Sequence, residues 1–125
     1  MLLNTNSTKP IYIQIAEGIE TMILQGKFHA NDQVYSQYKL AEMLTINPAT
    51  AAKGLNLLAE EGILYDRRGI GKFVSEDAIK IIKEKRKENI LTEKIKQMVE
   101  EAYYLNIKEE EFIELIQKAY QEMEE

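Results

Sequence analysis

Residues 46–74 read INPATAAKGLNLLAEEGILYDRRGIGKFV, and the reading of this stretch decides the fold. Asn47 can cap a helix, and Pro48 suits the first helical position, where a missing N–H has no partner to lose. Leu55 and Leu58, with Ala51 and Ala59, recur at helical spacing and predict a buried stripe. Gly62 predicts the stop, as a left-handed cap. Residues 63–65 (Ile-Leu-Tyr) read as a strand, "DRRGIG" as a turn, and Lys72, Phe73 and Val74 as a returning strand. A hairpin that short is not stable alone.

Upstream, Pro10 is a good first residue for a helix. Tyr12, Ile15, Ile19, Met22 and Ile23 then recur on one face, and Gly26 predicts the end. Residues 27–35 read as a loop. Ser36 is a plausible N-cap for a short second helix with Leu40, Met43 and Leu44 inward, although Lys39 stands where a capping-box glutamate is expected. Thr45 and Ile46 make a brief turn before Asn47. Two helices across a tight turn, followed by a hairpin, are the pattern of a winged helix-turn-helix.

Downstream the composition changes. Ser75 can cap a helix whose first turn carries Glu76 and Asp77, the favourable sign for the helix dipole. Ile79, Ile82, Leu91, Ile95, Met98, Ala102 and Leu105 continue at helical spacing; "LNI" at 105–107 breaks it. A last helix carries Phe112, Ile116, Ala119, Tyr120 and Met123. The expected fold class is mostly α with a small β-hairpin wing. Residues 1–74 are expected to form a winged helix-turn-helix DNA-binding domain, and residues 75–125 a two-helix dimerisation segment.

The totals narrow the function. A chain of 125 residues suits one domain with an appendage. With no cysteine there are no disulfides, thiolate metal sites or cysteine nucleophiles, which fits a reducing cytoplasm. No apolar run approaches a membrane span, and MLLNTNSTKP lacks the apolar core of a secretory signal. The net charge of −5 argues against a general polyanion binder. That acidity is local: residues 1–74 carry seven basic and seven acidic side chains, residues 75–125 nine and fourteen.

PIYIQIAEGIETMILQGKF (10–28), followed by LAEMLTINPATAAKGLNLLAEEGILYDRRGIGKFV (40–74), resembles the GntR family of bacterial transcription regulators. The short two-helix C-terminal part resembles its YtrA subfamily. The resemblance covers nearly the whole chain. It rests on Pro10 to Ile15, Leu40-Ala41, Asn47-Pro48 with Thr50, Glu61-Gly62, and Arg68 to Val74 in order. It implies a homodimeric repressor on a palindromic operator, with control of a transporter operon as the subfamily habit. One departure stands out. The family's Leu-Pro-Ser-x-Arg reads here Val34-Tyr35-Ser36-Gln37-Tyr38, so its DNA-contacting arginine falls at Tyr38, which brings neither charge nor a guanidinium fork. Ala49 likewise replaces a commonly polar position, so base reading there is thin.

The candidate DNA-binding residues are Ser36, Tyr38, Asn47, Ala49, Thr50, Lys53, Arg67, Arg68, Gly69, Gly71 and Lys72. A capped helix N-terminus suits a phosphate oxygen, Thr50 can meet a phosphate or a thymine methyl, and Lys53 a guanine edge or a phosphate. Arginines on a glycine-rich tip suit a narrow minor groove. The plainer alternatives are an ordinary capped helix with one solvated lysine and a polar hairpin diluted by Asp66. "KIIKEKRKEN" (80–89) reads as a solvated helix face.

Leu91, Ile95, Met98, Ala102, Phe112, Ile116, Ala119 and Tyr120 are the candidate dimer interface, since two helices cannot close a core alone. Tyr103, Tyr104 and Tyr120 read as packing. His29 has no ligand partner at useful spacing, so no metal or cofactor is expected, and no constellation supports an enzyme. A small-molecule effector at the dimer seam stays open. The alternative reading, favoured by Tyr38, Ala49 and the acidic balance, is a winged-helix protein-interaction module that has lost DNA binding.

Overall fold

Local signals near the chain's prolines, serines and glycines set where each helix begins and ends. The computed structural model describes all 125 residues. Its elements are α1 (Ile11–Leu24), α2 (Gln37–Leu44), α3 (Pro48–Glu60), β1 (Leu64–Arg67), β2 (Gly71–Val74), α4 (Ala78–Arg86), a π-helical turn (Lys87–Leu91), α5 (Thr92–Tyr104) and α6 (Glu109–Glu124). Pro10 opens α1, its carbonyl accepting from the N–H groups of Ile13 and Gln14 at 3.1 and 3.2 Å. Gly26 closes it at φ 79°, which lets Lys27 N–H reach back to the Met22 carbonyl at 2.9 Å. The Gln14 of the opening motif is a latch. Its Oε1 accepts from Asn4 N–H at 2.8 Å, and its Nε2 donates to the carbonyls of Asn4 and Lys9 at 3.1 and 3.0 Å. This ties the segment before α1 to the helix.

Ser36 caps α2 as expected, its Oγ accepting from Lys39 N–H at 3.1 Å. Asn47 caps α3, its Oδ1 accepting from Ala49 N–H at 2.8 Å. An Asn47→Ala substitution should therefore lower stability by about 1 kcal/mol. The denaturant midpoint should fall with an unchanged m-value; a midpoint that does not move would mean the cap bond contributes nothing.

The core joins Ile15, Ile19 and Ile23 of α1 to Leu40 of α2 and Ala51, Leu55 and Leu58 of α3, with Ile63, Leu64 and Val74 closing it from the hairpin side. Each such Ile or Leu contributes roughly 1.5–3 kcal/mol by leaving water. Gly54, which the helical pattern passes over, is what lets α1 and α3 touch. A Cβ there would lie 2.8 Å from the Tyr12 carbonyl oxygen and 3.0 Å from Ile15 Cγ2.

Several expectations need correction. Met43 does not face inward; it is 43% exposed. Ser75 does not cap α4: the helix starts only at Ala78, and the Ser75 hydroxyl instead donates to the Gly62 carbonyl at 2.6 Å. The hairpin is longer than predicted, Leu64–Arg67 pairing antiparallel with Gly71–Val74. Packing of the first compact unit continues past residue 74. Ala78 and Ile82 are buried in the N-terminal core, and the compact unit runs from Met1 to Glu84, with Lys85–Glu125 the second. Apolar spacing alone could not tell which hydrophobic partner those two residues had.

In the second unit, Asn106 at φ 56° turns the chain between α5 and α6, and Ile107 N–H closes that turn on the Ala102 carbonyl at 2.9 Å. This is the break expected at 105–107. Glu109, Glu110 and Glu111 occupy the first turn of α6, at the positive end of its dipole. No spacing in the sequence predicts the π-helical turn before α5; there Thr92 Oγ1 donates to the Lys87 carbonyl at 3.0 Å. No helix is long and apolar enough to cross a membrane.

Candidate nucleic-acid interface

With Ala51, Leu55 and Leu58 turned inward, α3 presents the opposite stripe, Ala49, Lys53, Asn56 and Glu60, to solvent. These four residues line an open groove together with Ala52, with Tyr12 of α1 and with Gln37 at the start of α2. The groove thus belongs to all three N-terminal helices. Lys53 does not reach freely outward: its ammonium lies 4.1 Å from the centre of the Tyr12 ring. That cation–π contact restricts the side chain while leaving its N–H groups open to an acceptor.

Of the residues that the sequence marks as candidates, Asn47 and Ser36 have their side-chain oxygens committed to capping. Each places a helix N-terminus, and the Ser36 hydroxyl and the Asn47 Nδ2 remain as donors for a phosphate. Thr50 is half-buried, and Ala49 is exposed but has no polar group to offer. Tyr38 is 70% exposed, so the position of the family arginine is available to a ligand even without its charge. Asn56 and Gln37 join the groove without any sequence signal. Both carry amides that can make paired hydrogen bonds with an adenine edge, but neither stands beside a recognisable motif.

The wing does not treat its three candidate cations alike. Lys72 is engaged, its Nζ 2.6 Å from Asp66 Oδ1, and its side chain is only 18% exposed. Asp66 and Lys72 face each other across the hairpin ladder, which explains the pairing. The Arg67 guanidinium stacks 4.8 Å from the centre of the Phe73 ring. Arg68 alone of the three is exposed with no partner inside the chain. It stands in the tip turn, which Ile70 N–H closes on the Arg67 carbonyl at 3.0 Å with Gly69 at φ 78°. A residue with φ in that range at the third turn position favours glycine.

A helix-turn-helix followed by a hairpin with a free arginine at its tip defines the class: a winged-helix DNA-binding regulator. The family model for "Bacterial regulatory proteins, gntR family" matches residues 11–74. The HTH-type transcriptional repressor YtrA of Bacillus subtilis (strain 168) is 31% identical over 116 residues, covering 93% of this chain and 88% of that protein. A GntR family transcriptional regulator from Listeria monocytogenes superposes with a TM-score of 0.72 at 34% identity, covering 90% of this chain and 97% of that one. AraR(DBD) in complex with operator ORE1 superposes with a TM-score of 0.53 at 29% identity, covering 58% of this chain and 89% of that one. The chain belongs to the GntR family and is a DNA-binding transcriptional regulator.

Proposed function

We propose that the protein is a homodimeric repressor that reads a palindromic operator, with α3 in the major groove and the wing tip in the adjacent minor groove. The observation that carries this reading is the exposed stripe of α3, held at a capped N-terminus, in a chain whose wing leaves one cation, Arg68, unpaired. The operator complex of AraR(DBD) and the repressor YtrA, at 31% identity, support it from the side of the relatives. Lys53 and Arg68 supply charge to phosphates or base edges. Thr50 and Asn56 offer polar contacts along the helix. Tyr38 can donate one hydrogen bond to a phosphate. Arg67 and Lys72, each engaged within the hairpin, shape the wing before they touch anything else.

Dimerisation rests on the second unit. Ala102 is its one buried apolar residue, already covered within its own chain, which leaves it little surface for a partner. Leu91, Ile95, Met98, Ile116 and Tyr120 all stay exposed, and Phe112 is half-covered. Ala119 is exposed but adds little area. Two helices with this much uncovered apolar surface are completed most economically by the same surface of a second copy. Two copies then present two recognition helices to two half-sites. Control of a transporter operon in the cytoplasm follows the subfamily resemblance.

Binding should be strongly salt-dependent, because each phosphate neutralised releases counterions. Arg68→Ala is expected to weaken binding to a selected duplex about ten-fold, and to reduce the slope of log K against log salt by about one for each phosphate that the arginine neutralises. Its melting temperature should not change, since Arg68 touches nothing in the fold. A full affinity in gel-shift titration would remove the wing from the interface. A flat salt plot on every duplex tried would favour the protein-interaction module instead.

A further inference from the structure

We propose that Gln33 is a positioning residue for the wing, bracing its tip through a hydrogen bond from outside the hairpin. The proposal rests on the reading of Arg68 as a DNA contact. Residues 27–35 read from the sequence as a plain loop. In the structure, part of that loop runs along the outer edge of β2. Asn31 N–H donates to the Val74 carbonyl at 2.7 Å, Val74 N–H to the Asp32 carbonyl at 2.9 Å, and Val34 N–H to the Lys72 carbonyl at 3.0 Å. Gln33 itself is paired antiparallel with Phe73. The segment is a third strand in all but length, and it supports a hairpin that would be marginal alone.

Those backbone bonds end at Lys72, short of the tip. The side chain of Gln33 continues where they stop: its Nε2 donates to the Ile70 carbonyl at 3.0 Å. The same amide explains Gly71. A Cβ at that residue would sit 2.7 Å from Gln33 Nε2, and the backbone there is at φ 145°. The absent side chain of Gly71 is therefore the space through which Gln33 reaches the turn. Within the tip itself, the turn is closed by Ile70 N–H on the Arg67 carbonyl, next to the last ladder pair, Arg67 and Gly71. With the Gln33 bond, the turn that carries Arg68 is tied to a segment anchored by the buried Val34. Fixing the tip before the ligand arrives reduces the ordering that binding would otherwise require.

The test compares the full-length protein, Gln33→Met, Arg68→Ala and the double variant on one duplex enriched from a random pool. Methionine keeps the length of the side chain and removes the donor. Gln33 is exposed, so the variant should fold and melt as the parent does. Its affinity should fall about three- to five-fold, the scale of one hydrogen bond removed. In the Arg68→Ala background the same change should have no further effect, because the brace acts through that arginine. Backbone 15N relaxation of Gly69 and Ile70 without DNA should show a looser tip in Gln33→Met. An unchanged tip in that measurement overturns the brace, whatever DNA does. An equal loss of affinity in both backgrounds overturns its action through Arg68. If Arg68→Ala binds as the parent while the tip loosens, the brace stands and it is the wing's role in DNA binding that fails.

Discussion

Replacing Ile95 and Ile116 together by glutamate is expected to leave the protein monomeric and to weaken its binding to a palindromic duplex by at least about 100-fold. Ile95 on α5 and Ile116 on α6 are 46% and 38% exposed in the single chain, so neither substitution removes a residue from a closed core. In a symmetric pair each change occurs twice, placing four carboxylates in one apolar seam. An unpaired charge in such a place costs several kcal/mol, and the fall of 100-fold in affinity corresponds to only about 2.7 kcal/mol. On the proposed partner surface, Leu91 and Met98 offer no cation to rescue them. Sedimentation equilibrium reads the assembly state directly, and gel-shift reads the loss of the two-site complex. Protection of core amides such as those of Leu55 and Ile63 from exchange should persist, because both belong to the unit that ends at Glu84. A double variant that still sediments as a dimer would place the seam elsewhere and would remove the second unit from the mechanism.

Gly54→Val should lower the unfolding free energy by about 3 kcal/mol, the upper part of the range for overpacking. In an exposed helix the same change would be favourable or neutral, because glycine is the weakest helix former after proline, by about 1 kcal/mol against alanine. The sign reverses here because the space is already taken. The Tyr12 carbonyl oxygen, 2.8 Å from the first added carbon, is backbone within α1 and cannot swing aside. Relief requires α1 to shift as a body, which loosens Ile15 and Ile19 from Leu55 and Leu58 and moves Tyr12 away from Lys53. For a unit of this size the loss corresponds to roughly 12–24 °C in melting temperature. DNA affinity measured well below the transition should also fall, since the groove that holds Lys53 changes shape. A Gly54→Val protein that melts with the parent would show that the two helices have slack between them.

How much of this is legible in the sequence depends on the range of the interaction. Pro10, Gly26, Ser36, Asn47 and Gly62 act on backbone groups within a turn of themselves, and their places as starts and stops can be read one residue at a time. Ser75 fails as a cap for the opposite reason. The helix begins only at Ala78, and the Ser75 hydroxyl is used as a donor to the Gly62 carbonyl thirteen residues away. Ile82 reads correctly as apolar and helical but falls to the wrong body, since periodicity gives a face and not the surface that face meets. The family resemblance finds the winged helix because its motifs are contiguous. It gives no weight to Tyr12, Gln33 or Asn56 as parts of a site.

What the chain order settles is local: which residues start helices, which glycines stop them, where the two-stranded tip turns, and which positions are apolar. What tertiary structure alone decides is the allocation of side chains that could serve more than one partner. It parks Lys53 on Tyr12, pairs Lys72 with Asp66, stacks Arg67 on Phe73 and leaves Arg68 free. It also brings Gln33 to Ile70 across a separation of 37 residues. Such choices depend on which groups arrive within about 3–5 Å once the core has closed, and no spacing along the chain encodes that distance.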